Sequence, residues 1–193
     1  MEMPLDTMSE LDDDALLLRY GAGDPEAAAA LTFRLTPRAL SLATRLLGDA
    51  VEAEDVAQEA MLRLWKMAPG WRPGEAKVTT WLYTVVRNLA TDRLRKRRSV
   101  ALDDIPEPVD QQPGAEARML NGERAEALNQ ALADLPERQR IAVVLRHFEG
   151  MANPDIAEVI GVSTEAVESL IARGKRNLHA RLVGDKQKLG LEE

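Results

Sequence analysis

Residues 153–182 read NPDIAEVIGVSTEAVESLIARGKRNLHARL and satisfy most of the constraints that a helix-turn-helix places on a sequence. Ala157 is small where the two helices must approach closely, and Gly161 follows four residues later to supply the turn. Asn153, followed by proline, predicts the cap of the first helix, and Ser163 predicts the cap of the second. A helix-turn-helix presents its second helix to the major groove of DNA. The segment therefore predicts a DNA-binding module rather than an ordinary helical hairpin.

The second helix of this motif has an apolar and a polar side. The apolar residues, which should pack inward, are Val167, Leu170, Ile171, Gly174, Leu178 and Leu182. The opposite side carries Glu165, Ser169 and Arg176, flanked by Glu168 and Arg173. Arginine reads guanine, serine reaches base edges or phosphate, and glutamate accepts a hydrogen bond from cytosine. Glu168 has a second interpretation, in which it repels phosphate and disfavours wrong registers.

The charge is unevenly distributed along the 193 residues, whose formal net charge is −7. Residues 1–26 hold eight acidic side chains and one basic one, whereas residues 87–98, RNLATDRLRKRR, hold six basic and one acidic. Such a basic cluster is typical of phosphate binding, although a solvated face without a partner is the alternative.

Several classes of protein are disfavoured by what the sequence lacks. No apolar run is long enough to cross a membrane and Met1–Arg19 is acidic, so we expect a cytoplasmic protein without membrane insertion. The absence of cysteine excludes disulfides, thiolate zinc sites and cysteine nucleophiles. The two histidines, His147 and His179, are far apart. No catalytic motif is present, so we expect neither an enzyme nor a metal or other cofactor.

The pattern is helical nearly throughout and predicts an all-α fold of two helical domains. Residues 100–114 interrupt it with three prolines among four acidic residues, a composition that predicts an extended acidic linker. We place the first domain at 1–98, the linker at 99–122 and the second domain at 123–193. The predicted helices are Asp12–Tyr20, Pro25–Phe33, Pro37–Leu47, Glu52–Met67, Thr80–Arg98, Ala115–Leu135, Pro136–Phe148 and the two of the helix-turn-helix.

The helix predicted over Thr80–Arg98 places an aromatic residue among polar ones. Leu82, Val86, Leu89 and Ala90 form its apolar stripe. Trp81 lies on the other side with Asn88, Asp92 and Arg95, where an indole can stack on an unpaired base. Trp71, just before the helix, offers a second platform. Burial of either tryptophan against a neighbouring helix is the alternative.

The helix predicted over Glu52–Met67 has an apolar residue on its polar side. Leu62 projects between Asp55, Gln58 and Glu59, opposite the inward-facing Val56, Ala57, Ala60, Met61 and Leu64. Ringed in this way, Leu62 has the character of an anchor in a protein interface, although an incidental surface leucine is the alternative.

Three segments together resemble one family, the bacterial RNA polymerase sigma factors of the extracytoplasmic-function group. DVAQEAMLRLW at 55–65 is similar to region 2.2 of that family, and WLYTVVRNLATDRLR at 81–95 to regions 2.3 and 2.4. LPERQR at 135–140, followed by the helix-turn-helix, is similar to region 4. The resemblance covers the chain from about Asp12 to Leu182.

The resemblance implies a dissociable specificity subunit that binds core RNA polymerase and promoter DNA and is held inactive by a cognate anti-sigma factor. The residues that would dock on the clamp coiled coil of the polymerase β′ subunit are Asp55, Gln58, Glu59, Leu62 and Arg63. Those that would bind and help melt the −10 element are Trp71, Lys77, Trp81, Arg87, Asn88, Asp92, Arg93, Arg95, Lys96, Arg97 and Arg98. Those that would grip the −35 element, beside the β-subunit flap, are Ser163, Thr164, Ser169, Arg173, Lys175 and Arg176. The acidic linker would thread near the RNA exit path.

Two alternatives belong to other functional classes. One is a sigma-like mimic that sequesters an anti-sigma factor, for which we would expect the basic cluster and the Leu62 face to be lost. The other is a conventional dimeric helix-turn-helix regulator, for which we find no large apolar dimer interface. The basic cluster and the Leu62 face are both present, so we favour the sigma factor.

Overall fold

The computed structural model describes residues 8, 10–74, 76–103 and 126–188, and all structural statements below concern these residues. They are helical with short connections and contain no strand, which confirms the predicted all-α fold. The helices are α1 (Asp13–Gly21), α2 (Pro25–Leu47), α3 (Ala50–Met67), a 3-10 turn (Ala68–Gly70), α4 (Val78–Asp103), α5 (residues 126–133), α6 (Glu137–His147), α7 (Asn153–Ile160) and α8 (Thr164–Lys188).

Helices α1–α4 form an N-terminal unit in which α2 contacts each of the other three. An aspartate caps the N-terminus of each of the first three helices. Asp12 of α1 accepts from the Ala15 amide (2.7 Å), Asp24 of α2 from the Glu26 amide (3.0 Å) and Asp49 of α3 from the Glu52 amide (3.0 Å). The inward stripes are buried as predicted for α3, and in α4 the predicted stripe is buried except for the half-buried Leu89.

Helix α2 corrects one expectation, because Pro25–Leu47 is a single helix with Pro37 inside it rather than two helices. Proline removes the hydrogen bond to the carbonyl four residues earlier, here that of Phe33. The Phe33 side chain is 85% exposed, so this carbonyl lies at the water-facing side of the helix, where solvent can satisfy it.

Helices α6–α8 pack on one another and form the helix-turn-helix of a C-terminal unit. Gly161 ends α7 in the left-handed conformation (φ 74°), and the Ser163 hydroxyl accepts from the Ala166 amide (3.3 Å), as predicted. The predicted Asn153 cap is wrong. Ala152 is the N-cap and makes no side-chain hydrogen bond, and Asn153 is the first helical residue, so proline occupies the second position rather than the first.

Two helices run further than predicted. Helix α4 continues to Asp103, so residues 99–103 of the predicted linker are helical. Helix α8 continues to Lys188, past the expected end at Leu182. The remainder of the linker, and most of the helix predicted over Ala115–Leu135, lie outside the described residues.

Helix α8 can approach α6 closely because residue 174 is glycine. A Cβ atom on Gly174 would lie 2.6 Å from Val143 Cγ2 and 3.2 Å from the Gln139 carbonyl oxygen. Val143 is buried, and the second neighbour belongs to the backbone, so neither can move aside easily.

We therefore expect Gly174→Ala to destabilise the C-terminal unit by about 1 kcal/mol. Overpacking costs about 1–3 kcal/mol, which outweighs the gain of up to about 1 kcal/mol from helix propensity. Urea unfolding should be followed by far-UV circular dichroism, because Trp65, Trp71 and Trp81 all belong to the N-terminal unit. Gly70→Ala, which meets no atom within 4 Å, is the control. A Gly174→Ala protein as stable as the wild type would contradict this account of the packing.

Candidate nucleic-acid and polymerase interface

The five residues predicted to bind polymerase lie together on the outer side of α3, which we call the α3 face. Leu62 is 52% exposed although it is a large apolar residue. Arg63 is paired with Glu59 at 2.8 Å, and Arg93 of α4 reaches Asp55 at 3.3 Å. The face is thus an exposed leucine inside a ring of charged side chains, which is the arrangement that the sequence predicted.

The predicted −10 residues Lys77, Trp81, Arg87, Asn88 and Asp92 follow one another along the start of α4, and we call them the α4 face. Asn88 and Asp92 are exposed, whereas Trp81 and Arg87 are half-buried. Trp81 packs partly against the apolar core, as the packing interpretation predicted, and the rest of its surface is accessible.

Trp71 lies apart from that face, near the start of α1. Its indole Nε1 donates to Asp14 Oδ1 at 3.0 Å, and the ring is half-buried against the core. Burial raises the pKa of Asp14, and the Trp71 hydrogen bond opposes that shift. Trp71 is therefore positioned by a half-buried carboxylate, and part of its ring remains accessible.

The basic cluster at the end of α4 is divided between internal and exposed side chains. Arg97 donates to Glu52 (3.0 Å) and Asp49 (3.1 Å) and so ties α4 to the start of α3. Arg95 pairs with Asp92 at 2.5 Å. Lys96 and Arg98 are exposed and form no ion pair with another described residue, which leaves them available to phosphate.

The second helix of the helix-turn-helix, α8, presents the predicted −35 residues on its solvent side, which we call the recognition face. Ser169, Arg173, Lys175 and Arg176 are exposed and make no hydrogen bond with another described residue. Thr164 is half-buried in the first turn, and Ser163 is exposed and already engaged as the cap. Glu165 and Glu168 are exposed on the same helix.

A cleft of ≈ 440 Å³ opens beside the recognition face, and sequence reasoning did not find it. Its wall holds Arg146 and His147 from the end of α6, Asn153 from the start of α7, and Glu168, Ile171, Ala172, Lys175 and Arg176 from α8. The Asn153 Oδ1 atom is buried without a partner among the described residues. Burial, Lys175 and Arg146 lower the pKa of His147. The basic end of α6, Arg146–His147, was the available signal, but only the fold brings it to α8.

The two units are in direct contact, and three carboxylates of the C-terminal unit make some of the polar contacts. Glu149 accepts from Tyr83 Oη (2.8 Å) and from Ser41 Oγ (3.1 Å). Asp155 pairs with Lys77 at 2.8 Å. Glu137 accepts from Thr91 Oγ1 at 2.6 Å. No role was predicted for these carboxylates from the sequence.

Two arginines cross the contact in opposite directions, and each donates to the end of a helix in the other unit. Arg87 Nη2 donates to the carbonyl of Val159, in the last turn of α7, at 2.7 Å. Arg140 Nη1 donates to the carbonyl of Leu46, in the last turn of α2, at 2.8 Å. The last carbonyls of a helix have no partner inside it and carry its negative dipole end. We call the two contacts the arginine caps.

The contact shifts the pKa values of the side chains that form it, in different directions. Burial lowers the pKa values of both Arg87 and Arg140, and the nearby Glu137 opposes the shift. Burial, followed by the charge of Glu149, raises the pKa of Tyr83, so its hydroxyl stays a donor. The hydrogen bond that the exposed Lys77 donates to Asp155 raises the pKa of Lys77.

Within the described residues, no three His, Asp or Glu side chains are grouped so as to bind a metal ion. None of the helices described there combines the length and the apolar character that crossing a membrane requires.

Both units match known family models. Residues 33–100 match Sigma-70 region 2, and residues 125–178 match Sigma-70, region 4. Because the first match spans the α3 and α4 faces and the second spans the recognition face, the candidate interfaces fall within the matched residues.

Full-length relatives agree with these matches. The chain is 32% identical over 186 residues to RNA polymerase sigma-H factor of Pseudomonas aeruginosa, covering 91% of this chain and 96% of the relative. It is 36% identical over 179 residues to ECF RNA polymerase sigma factor SigM of Mycobacterium tuberculosis, covering 91% and 86%.

Two solved structures share the fold. CnrH, solved in complex with the cytosolic domain of CnrY, is 26% identical with a TM-score of 0.68, and the alignment covers 90% of this chain and 98% of that one. RpoE of Bartonella quintana, solved with the anti-sigma factor NepR, shares the fold at 24% identity and a TM-score of 0.65, covering 78% and 93%. The chain therefore belongs to the extracytoplasmic-function group of the sigma-70 family of RNA polymerase sigma factors.

Proposed function

We propose that this sigma factor binds core RNA polymerase through the α3 face, reads the −10 element with the α4 face and reads the −35 element with the recognition face. The observation that carries the proposal is that one chain of this family presents an exposed leucine ringed by charge and, separately, an exposed basic recognition helix. A DNA-binding regulator needs only the second of these surfaces. A subunit that delivers polymerase to a promoter needs both.

The α3 face is the polymerase contact. An apolar anchor surrounded by charged residues is the usual form of an energetic centre in a protein interface. Leu62 supplies the anchor, and the pairing of Arg63 with Glu59 fixes part of its rim. The expected partner is the clamp coiled coil of the β′ subunit, with the β flap meeting the C-terminal unit.

The α4 face handles the −10 element. Trp81 offers an aromatic surface to an unpaired base, and Asn88 offers a side-chain amide to a base edge or a phosphate. Arg87, Arg93 and the exposed Lys96 and Arg98 neutralise phosphates. Strand separation begins here, because stacking of an extruded base on Trp81 replaces the stacking that the base loses in the duplex.

The recognition face and the cleft beside it hold the −35 element. Arg173, Lys175 and Arg176 reach base edges or phosphates in the major groove. Arg146 and His147 extend this basic surface onto α6, where they meet a DNA backbone that crosses the cleft.

An anti-sigma factor controls the chain, and the acidic linker lies near the RNA exit path when polymerase is bound. The family resemblance supports both points, and for the first CnrH, a relative of the same fold, was solved with the cytosolic domain of CnrY. The location of action is the cytoplasm, where core polymerase and promoters are found.

The direct test is reconstitution. Purified protein with core polymerase should start transcription from a genomic promoter library at discrete sites, and neither component alone should do so. If the chain does not bind core polymerase but does bind an anti-sigma factor, the mimic is the better interpretation.

Leu62→Asp should weaken core polymerase binding roughly five- to thirtyfold, since removal of an interface anchor costs about 1–2 kcal/mol. Affinity can be measured by fluorescence anisotropy with labelled sigma factor. Phe33→Asp is the matched control, because Phe33 is an exposed apolar residue (85%) that lies on α2 rather than on α3. Equal losses in the two variants would remove the α3 face from the proposal.

Trp81→Ala should impair promoter melting more than core binding, since loss of base stacking costs about 1–3 kcal/mol. Permanganate reactivity of thymines at the start site measures melting. Because Trp81 also packs against the core, the exposed Asn88→Ala serves as a second variant without a packing change. If both variants lost core affinity and melting to the same extent, Trp81 and Asn88 would not be −10 contacts.

Arg176→Ala should weaken −35 duplex binding and lower the slope of log affinity against log salt by about 1 if the lost contact is to phosphate. An unchanged slope with altered sequence preference would indicate a base contact instead. His179→Ala, on an exposed position further along the same helix, is the control. Duplex affinity that is unchanged in Arg176→Ala would exclude this residue from the recognition face.

A further inference from the structure

Residues 71–74, which we call the Trp71 segment, follow the 3-10 turn and begin with a tryptophan expected to bind the −10 element. Arg72, Pro73 and Gly74 are exposed. The backbone amide of Trp71 donates to the Ala68 carbonyl at 3.1 Å, which closes the turn. This hydrogen bond fixes the backbone of Trp71 but not its indole, so the position of the ring depends on contacts with another part of the fold.

The contact that holds the indole comes from α1. Asp14 Oδ1 accepts from Trp71 Nε1 at 3.0 Å, and the Asp14 carboxylate also accepts a hydrogen bond from the backbone of Val78, the first residue of α4. A partly buried indole usually finds such a partner for its N–H group. One carboxylate therefore joins the Trp71 ring to the start of α4.

Helix α1 also contacts the turn that precedes the Trp71 segment. A Cβ atom on Gly21, at the end of α1, would lie 2.9 Å from the Ala68 carbonyl oxygen, so the two backbones approach closely. The turn, the Trp71 ring and the start of α4 are thus all in contact with one helix.

Helix α1 is itself firmly attached to the N-terminal unit. Leu16 and Leu17 are fully buried in the core. The Tyr20 ring packs edge-on against Trp65 of α3, with 4.7 Å between the centroids. Because side chains in a close-packed core hold a helix in one position, a carboxylate on α1 is a fixed point for the indole.

We propose that Asp14 is a positioning residue for −10 binding, which holds the Trp71 indole in place relative to the start of α4 so that the ring can stack on an unpaired base. The inference rests on the proposed function, in which this chain reads the −10 element. Trp71 then provides a second stacking surface, separate from Trp81 of the α4 face.

Asp14 acts through Trp71 and does not contact DNA. Its carboxylate is half-buried and follows Asp12 and Asp13, whose charges repel phosphate. Burial raises the pKa of Asp14, whereas the hydrogen bonds from Trp71 and Val78 lower it and so favour the ionised form that accepts from both. Asp14 thereby preorganises the ring, because a side chain that is already held loses less conformational freedom when a base stacks on it.

Removal of single bases distinguishes positioning from general support of the fold. The probe is the non-template single strand of the −10 region of a promoter found by reconstitution, with one base removed at each position in turn. Its affinity for the complex with core polymerase is measured by fluorescence anisotropy. We expect removal of one particular base to weaken binding at least roughly fivefold, the low end of what stacking of a base contributes. Trp71→Ala should abolish this loss and so identify the position.

Asp14→Ala should remove most of the loss at the position that Trp71→Ala identifies and leave the losses at other positions unchanged. Asp14→Asn, which keeps an acceptor oxygen, should restore it. Asp13→Ala is the matched control, because Asp13 is the neighbouring carboxylate on α1 but pairs with Arg34 at 3.4 Å. The proposal is overturned if no loss depends on Trp71, or if Asp14→Ala changes the losses at all positions equally or at none.

The position of the indole can also be measured without DNA. Trp65→Phe and Trp81→Phe leave Trp71 as the single tryptophan of the full chain, and acrylamide quenching then measures how accessible its ring is. In this background Asp14→Ala should raise the quenching constant, while the far-UV circular dichroism stays that of the parent. Unchanged quenching would also overturn the proposal.

A second variant breaks the same hydrogen bond from the other side. Trp71→Phe keeps an aromatic ring but lacks the N–H donor, so it makes the test possible even if Asp14→Ala does not fold. Trp71→Phe should reduce the loss on base removal, and adding Asp14→Ala should reduce it no further, because both changes break one contact. An undiminished loss in Trp71→Phe would contradict the role of Asp14. Failure of the wild type to transcribe with core polymerase would instead overturn the proposed function.

Discussion

The two arginine caps are the interactions on which the arrangement of this molecule depends. Arg87 of the N-terminal unit satisfies the last turn of α7, and Arg140 of the C-terminal unit satisfies the last turn of α2. In both helices a left-handed glycine, Gly161 or Gly48, follows the last turn and leaves carbonyls to be satisfied from outside. Hydrogen bonds to charged groups contribute about 1.5–3 kcal/mol each, more than the exposed Lys77–Asp155 pair can.

The caps also connect structure with function, since Arg87 serves both the contact and the α4 face. A side chain that reads phosphate is well suited to a helix end, because both present oxygens with partial or full negative charge. The α3 face, by contrast, stays exposed, with Leu62 52% accessible.

Local patterns predicted much of this fold. The periodicity of α3 placed Leu62 outside and Val56 and Leu64 inside, and Gly161 with Ser163 marked the turn and the cap of the helix-turn-helix. The local errors also have local causes. Pro37 lies on the solvent side of α2, where water replaces the missing hydrogen bond, and Ala152 rather than Asn153 begins α7.

The contact between the units was beyond sequence reasoning for a physical reason. Tyr83 and Glu149 are 66 residues apart, and Arg140 and Leu46 are 94 apart. In the sequence Glu149 and Arg140 look like ordinary solvated surface charges. Their partners, the Tyr83 hydroxyl and the Leu46 carbonyl, belong to helices that are distant in sequence. The sequence likewise did not predict that Arg146 and His147 lie beside Lys175, because only the fold brings these distant residues together.

The central claim is that core polymerase and promoter DNA bind separate surfaces of one chain, which we propose are the α3 face and the recognition face. The most direct measurement is the affinity of Leu62→Asp for core polymerase and, separately, for −35 duplex. We predict a weaker complex with core polymerase and unchanged duplex binding. Equal losses of both affinities would contradict the claim.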